Sequence, residues 1–257
     1  MKPTRTLALI TPGAVSGTPF ARFPGLAKLV THVVAPTYRE ASRIANAMYF
    51  AHACRSLDEA KEVSTFLICD GARAGPFQYA IPTLRGRTVL LAIPQPEGVA
   101  IQMRERGARV ALITVFDELT PCRFFVEGDR EAAVHARKLF ESARGEVALT
   151  VDGARPHLET ARLLAGPILM GVLEGATLNL RRTGLSLDAI RDLLGKLAGL
   201  TLRVHQRSGS RTWRPVDTEQ LTNLLAGLEA AGALAAHLRA SESATSALLN
   251  PPRGDVP

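Results

Sequence analysis

Cysteine is scarce in this sequence, aromatics are few, and no long apolar run interrupts it. Three cysteines in 257 residues, Cys54, Cys69 and Cys122, lie far apart with no CxxC spacing. An odd, dispersed set fits a reducing compartment and argues against both a disulfide framework and a zinc site. Cys69 falls inside an apolar run, which reads as a buried structural thiol. Only Leu7–Ile10 follows the short polar start, too few apolar residues for a signal segment, and no stretch nears the length of a membrane span. The expected location is therefore cytoplasmic, with no membrane partner. GxSxG, HExxH and P-loop patterns are missing too, so hydrolase, zinc-protease and NTPase chemistry lack support. The net charge of +7 comes from scattered arginines, such as Arg181-Arg182 and those from Arg203 to Arg214. Without a Lys/Arg block or interleaved aromatics, this bias suits one small anionic ligand better than a nucleic acid.

Apolar residues make up 46% and charged residues 21%, an ordinary globular composition. Short apolar runs alternate with helical spacing up to about residue 150. Thr6–Ile10, Thr31–Ala35, Thr65–Cys69, Thr88–Ile93, Val110–Val115, Arg123–Glu127 and Val147–Val151 read as strands. Their near-continuous hydrophobicity predicts a parallel sheet covered on both faces. Arg39–Tyr49, Leu57–Glu62, Pro96–Arg106 and Glu131–Ala143 read as the intervening helices, and Ser56-Leu-Asp-Glu59 has the form of a capping box. Strand and helix in alternation predict an α/β fold, a Rossmann-type doubly wound sheet, over residues 1–152.

Residues 153–257 read as an all-α second domain. Helical periodicity runs from Arg155 to Arg182, with Pro167 expected to kink or break it. Thr183-Gly184 ends that segment, and Ser186 with Asp188 opens a helix carrying Ile190, Leu193, Leu194 and Leu197 on one face. A last helix from Val216 or Asp217 to about Arg239 is rich in Leu and Ala on nearly all sides, pointing to burial in a homodimer.

The turn after the first strand, Thr11-Pro12-Gly13-Ala14-Val15-Ser16-Gly17, stands where a dinucleotide pyrophosphate docks on backbone amides and a helix N-terminus. Against GxGxxG only Gly13 matches; Thr11 and Ser16 occupy the outer glycine positions, and Pro12 removes an N–H. Two readings stand: a modified phosphate loop using amides near Ala14 and Val15, or an inherited turn that no longer binds. After the second strand, Pro36-Thr37-Tyr38-Arg39 carries no acid to accept the ribose hydroxyls of NAD. Thr37 and Arg39 would suit a 2′-phosphate, favouring NADP; the alternative for Arg39 is a solvated residue in the first turn of a helix.

Ser42-Arg-Ile-Ala-Asn46, Ser56-Leu-Asp-Glu59, Arg123-Phe-Phe-Val-Glu-Gly-Asp129 and Gly184-Leu-Ser-Leu-Asp188 carry a resemblance covering nearly the whole chain. It resembles a family pairing a Rossmann-like half with a helical half similar to 6-phosphogluconate dehydrogenase, akin to pyrroline-5-carboxylate reductase, whose members are mostly of unassigned function. The family's Tyr-His pair, which opens the long interdomain helix, corresponds to Pro156-His157 here, and its later asparagine to Ala165 or Gly166. Its Thr-Gly-Pro segment corresponds to Ser208-Gly-Ser-Arg-Thr-Trp-Arg-Pro215. The resemblance implies a substrate cleft between the halves.

His157 is then the candidate proton donor or acceptor, the alternative being a packed or surface histidine, and Ser208, Arg211, Trp213 and Arg214 the candidate wall for an anionic substrate, the alternative being an exposed dimer-contact loop. Asp70, after the third of these strands, would stand beside the cofactor's second half, the alternative being an exposed loop carboxylate. An NADP-dependent reductase or dehydrogenase for a small anionic substrate is the expected function. The alternative is a non-catalytic descendant that binds a small anionic ligand or a partner protein as a dimer.

Overall fold

Strand β1 (Leu7–Ile10) is buried at every position, and it forms the seam from which the sheet grows in both directions. The computed structural model describes residues 7–12, 24–48, 51–72, 74, 77, 84–119 and 121–209. In chain order there follow α1 (Pro24–Ala27), β2 (Val30–Val34), α2 (Tyr38–Ala47), β3 (His52–Cys54) and a 3-10 turn (Leu57–Ala60). Next are β4 (Thr65–Ile68), β5 (Thr88–Leu91), α3 (Glu97–Glu105), β6 (Arg109–Phe116), β7 (Arg123–Gly128), α4 (Arg130–Ser142) and β8 (Glu146–Leu149). Helix α5 (Arg155–Leu163), a π-helical turn (Leu164–Ile168), α6 (Leu169–Arg181) and α7 (Leu187–Ser208) complete the described elements.

The sheet order is β3-β2-β1-β4-β5-β6-β7-β8. Its first six strands run parallel in the doubly wound order, reversing direction of growth at β1/β4. A parallel, doubly wound sheet was the sequence expectation, and these six strands meet it; beyond them β7 pairs antiparallel with β6, and β8 is parallel to β7. The connection over residues 117–122 is too short for a crossover, which needs a dozen residues or so, and therefore permits only a hairpin. Strand β8 corrects one expectation. Its apolar run predicts cover on both faces, yet it forms the sheet edge with Leu149 exposed.

Two apolar layers cover the sheet. Leu7 and Leu9 face one layer with Ala41 and Ile44 of α2 and Ala136, Leu139 and Phe140 of α4. Ala8 and Ile10 face the other with Ala60, Ala100 and Met103. Strict alternation along a strand whose every residue is apolar is what a two-sided core requires. Phe124 and Phe140 stack at 4.3 Å between centroids, and Phe66 meets Phe77 edge-on at 4.9 Å. Each such side chain contributes roughly 1.5–3 kcal/mol by burial.

Gly128 ends β7 with φ +114°, and an added Cβ there would lie 2.7 Å from the Val110 carbonyl oxygen. The turn it allows lets Asp129 accept the Val110 N–H at 2.6 Å and pair with Arg104 at 2.8 Å.

The chain divides into two compact units, Met1–Leu158 and Glu159–Pro257, with the division inside α5. Glu127, buried at the end of β7, accepts the N–H groups of Ala154 (2.8 Å) and Arg155 (3.3 Å), so a carboxylate satisfies the start of α5. In the second unit the backbone of residue 167 lies within the π-helical turn, where the expected interruption appears as a wider loop of helix rather than a break. Ser186 caps α7, accepting the Ala189 N–H at 3.3 Å. No helix among the described residues is long and apolar enough to cross a membrane.

Candidate functional site

The carboxyl ends of β1, β2, β4 and β5 bring together the residues that the sequence marks for a nucleotide. Thr11 follows β1 directly. Its N–H bonds the Val34 carbonyl at 3.0 Å, while its hydroxyl is buried and finds no hydrogen-bond partner. A buried hydroxyl without a partner costs on the order of 1–3 kcal/mol, so a ligand oxygen in this mouth would relieve a cost already present. Pro12 is exposed. Gly13, Ala14, Val15 and Ser16, the heart of the expected phosphate loop, lie outside the described residues.

Thr37 is the N-cap of α2. Its hydroxyl accepts the Glu40 N–H at 3.3 Å and donates to the Glu40 carboxylate at 2.9 Å, which also takes the Thr37 N–H. This reciprocal box fixes the first turn of α2 and occupies both the Thr37 hydroxyl and the nearby acid. Arg39, one turn before Arg43 on the same helix, is exposed. Arg55, just after β3, places its guanidinium over the Tyr38 ring at 5.2 Å. Sequence reasoning passed over Arg55, because a lone arginine after a three-residue strand carries no local pattern. The second-strand end thus carries two arginines; the Glu40 carboxylate beside it is committed to a helix cap, and that of Glu59 accepts the Arg55 N–H.

Asp70 is buried after β4, and its Oδ1 accepts the Ala72 N–H at 2.9 Å, opening the next helical turn. After β5, Gln95 adopts φ +49°, a conformation that costs a non-glycine residue about 1–3 kcal/mol. It immediately precedes Pro96, the N-cap of α3, and adds a strained backbone to the same sheet end.

The thiols are shielded. Burial pushes the Cys122 thiol up to about 11, helped by Asp117 and Glu118, and burial together with Asp70 drives Cys69 upward as well. His157 is exposed on the first turn of α5. Ser208 is exposed at the last position of α7, not in a loop; Gly209, with φ +57°, is its C-cap. Arg211, Trp213 and Arg214 lie outside the described residues, as does the expected last helix. The described residues therefore unite Thr11, Thr37 and Arg39 at one sheet end and leave the anion wall untested. Ser56-Glu59 does not form the expected capping box: Ser56 makes no side-chain cap, and Glu59 accepts the Arg55 N–H at 3.1 Å. An open hollow of about 550 Å³ lined by Thr88, Arg109, Arg130, His135 and Lys138 opens at the opposite, amino-terminal end of β4–β6, away from this constellation.

No family model matches the sequence, and no curated protein matches it significantly. Solved structures do share the fold. A reductive aminase from Aspergillus terreus in complex with NADPH and ethyl-5-oxohexanoate superposes with a TM-score of 0.71 at 18% identity, covering 98% of this chain and 96% of that one. An imine reductase from Aspergillus terreus in complex with NADPH4 and dibenz[c,e]azepine gives 0.68 at 20% identity, over 91% and 86%. An imine reductase from Streptomyces aurantiacus gives 0.59 at 15% identity, over 80% and 77%.

Proposed function

We propose that this chain is an NADP-dependent reductase or dehydrogenase acting on a small anionic substrate. The reading rests first on the carboxyl end of the sheet: the unpartnered Thr11 hydroxyl, and beside it a second-strand end offering Arg39 and Arg55, with the Glu40 carboxylate held in a helix cap. Two neighbours of this fold carry NADPH or NADPH4 in their own sites, which supports the choice of cofactor.

Thr11, Gly13, Ala14, Val15 and Ser16 would hold the pyrophosphate, through backbone amides and the hydroxyls of Thr11 and Ser16. Thr37 orders the first turn of α2, and Arg39 with Arg55 would take the 2′-phosphate, for which guanidinium forks are suited. When bound, NADPH supplies a hydride. His157 would hand a proton to the oxygen or nitrogen of the reduced C=O or C=N group, and Ser208, Arg211 and Arg214 would orient the substrate's anionic group. Exposed Leu193, Leu197, Leu200 and Val204 on α7 support assembly as a homodimer through the C-terminal helices.

The test is a thermal titration with NADPH and NADH. A ligand at a hundred times its Kd adds about 2.7 kcal/mol to stability, which is readily seen as a raised Tm. NADPH is expected to stabilise the chain saturably and NADH far less, with Arg39→Ala narrowing that gap and Gly13→Trp abolishing both. Indifference to both cofactors at millimolar concentration would remove the oxidoreductase reading. It would favour instead the non-catalytic descendant, to which the Thr11-Pro12 substitution in the glycine turn already lends support.

A further inference from the structure

Next to Arg55, edge strand β3 and the turn after it carry a second group of donors. His52 and Cys54 are two residues apart on one strand and so share a face. Parallel pairing sets His32 of β2 beside His52 and Val34 beside Cys54, which brings both histidines and the thiol to the same side of the sheet. Glu59, from the 3-10 turn, reaches back: released from the expected capping box, its carboxylate lies 3.8 Å from His52 Nε2. One donor atom each from His52, Cys54 and Glu59 falls within 4.8 Å of every other.

That spacing matters. Zinc held tetrahedrally at about 2.0–2.3 Å places its donors about 3.3–3.8 Å apart, so 3.8 Å between imidazole and carboxylate is long for a hydrogen bond but right for the edge of a coordination tetrahedron. Thiolate, imidazole and carboxylate together are a zinc-type donor set. His32 stands beside the group: its ring meets that of His52 edge-on at 6.1 Å, and its Nδ1 lies 2.9 Å from the Thr31 hydroxyl. The cysteine spacing could not announce such a site, because its donors are assembled by strand register and not by a CxxC repeat.

We propose that His52, Cys54 and Glu59 form a structural zinc site, completed by His32 or water, that clamps edge strand β3 to the turn following it. The three-residue strand is bonded along one side only, and a metal would fasten what the ladder leaves loose. Arg55, between the ligands, stacks on Tyr38 and is thereby kept off the metal position.

The experiment uses the full chain, stripped with a chelator and titrated with Zn²⁺ against a chromophoric competitor, and with Co²⁺ for spectroscopy. One equivalent of zinc should bind and raise the Tm. The cobalt form should show a thiolate-to-metal charge-transfer band that Cys54→Ser removes, while Cys69→Ser and Cys122→Ser keep it. His52→Ala and Glu59→Gln should each weaken binding by about tenfold or more. These two side chains are 66% and 39% exposed, so their variants keep the test open if Cys54→Ser fails to fold. Binding that all variants share, or no stoichiometric binding by the unaltered chain, would overturn the site. Neither outcome bears on NADPH, which is titrated separately.

Discussion

Cys122 illustrates how one residue's surroundings set its chemistry. Its thiol is held up at about 11 first by burial, then by the Asp117 and Glu118 carboxylates. An unfolded thiol titrates near 8.5, so at pH 8 the native thiolate population is lower by roughly a hundredfold. Alkylation of Cys122, followed site by site in peptide maps, should be slow in the native chain at pH 8 and fast in urea; equal rates would contradict the shielding. The linkage has a definite sign. A folded pKa raised above the unfolded one leaves the full contribution intact below the unfolded value and removes it as pH climbs through the folded one. Stability is therefore expected to fall between about pH 8.5 and pH 11, and Cys122→Ala should lessen that fall in urea melts taken across the range, the remainder coming from Cys54 and Cys69, which are shifted the same way. The apolar run around Cys69 predicts a buried thiol, and the residue is partly buried, packed against the core at the end of β4. The shielding of Cys122 was not legible in the sequence, since Asp117 and Glu118 act through a hairpin whose geometry no local pattern announces.

At the scale of elements, the strands of the sheet were readable because a two-sided core demands unbroken apolar runs, and β1, β4 and β5 are such runs. What escaped was decided by neighbours. β3 is too short and too polar to be read as a strand, and exists because β2 offers it a free edge. The Ser56-Glu59 pattern has the right residues for a capping box, yet Glu59 bonds Arg55 instead; the working box is Thr37-Glu40. The start of α5 is decided at the same scale. No local cap is provided there, and Glu127 serves in its place from 27 residues upstream. Glu127→Gln retains an acceptor but loses the charge facing the helix N-terminus, which should cost about 1 kcal/mol. Glu127→Ala should cost about 1.5–3 kcal/mol, since the buried Arg155 N–H loses a charged acceptor and the Ala154 N–H keeps only the Val151 carbonyl. Chemical denaturation of both variants reads this directly, and a Glu127→Ala chain as stable as the parent would show that water replaces the carboxylate without loss.

For the molecule as a whole, the question is what covers α7. Leu193, Leu197, Leu200 and Val204 recur at spacings of four, three and four, and are 38%, 53%, 54% and 39% exposed. Such spacing is that of a helix–helix seam, and an apolar stripe this long is seldom left to water. A second copy is the occupant the proposed function calls for, because a two-fold axis would set α7 against its own equivalent and cover both stripes at once. Burial of this stripe should hold the dimer together at micromolar concentration, detected as twice the 27.5 kDa chain mass in light scattering. Leu197→Glu with Leu200→Glu would place charges in the middle of the seam, where desolvation without a partner is costly. The pair should yield monomers with unchanged helical circular dichroism, because both side chains are already half in solvent within one chain. The NADPH-induced Tm shift should persist in the double variant, since the residues proposed to hold the cofactor all belong to the first unit. A parent chain that scatters as a monomer, or a double variant that stays dimeric, would show that α7 meets something other than its own copy.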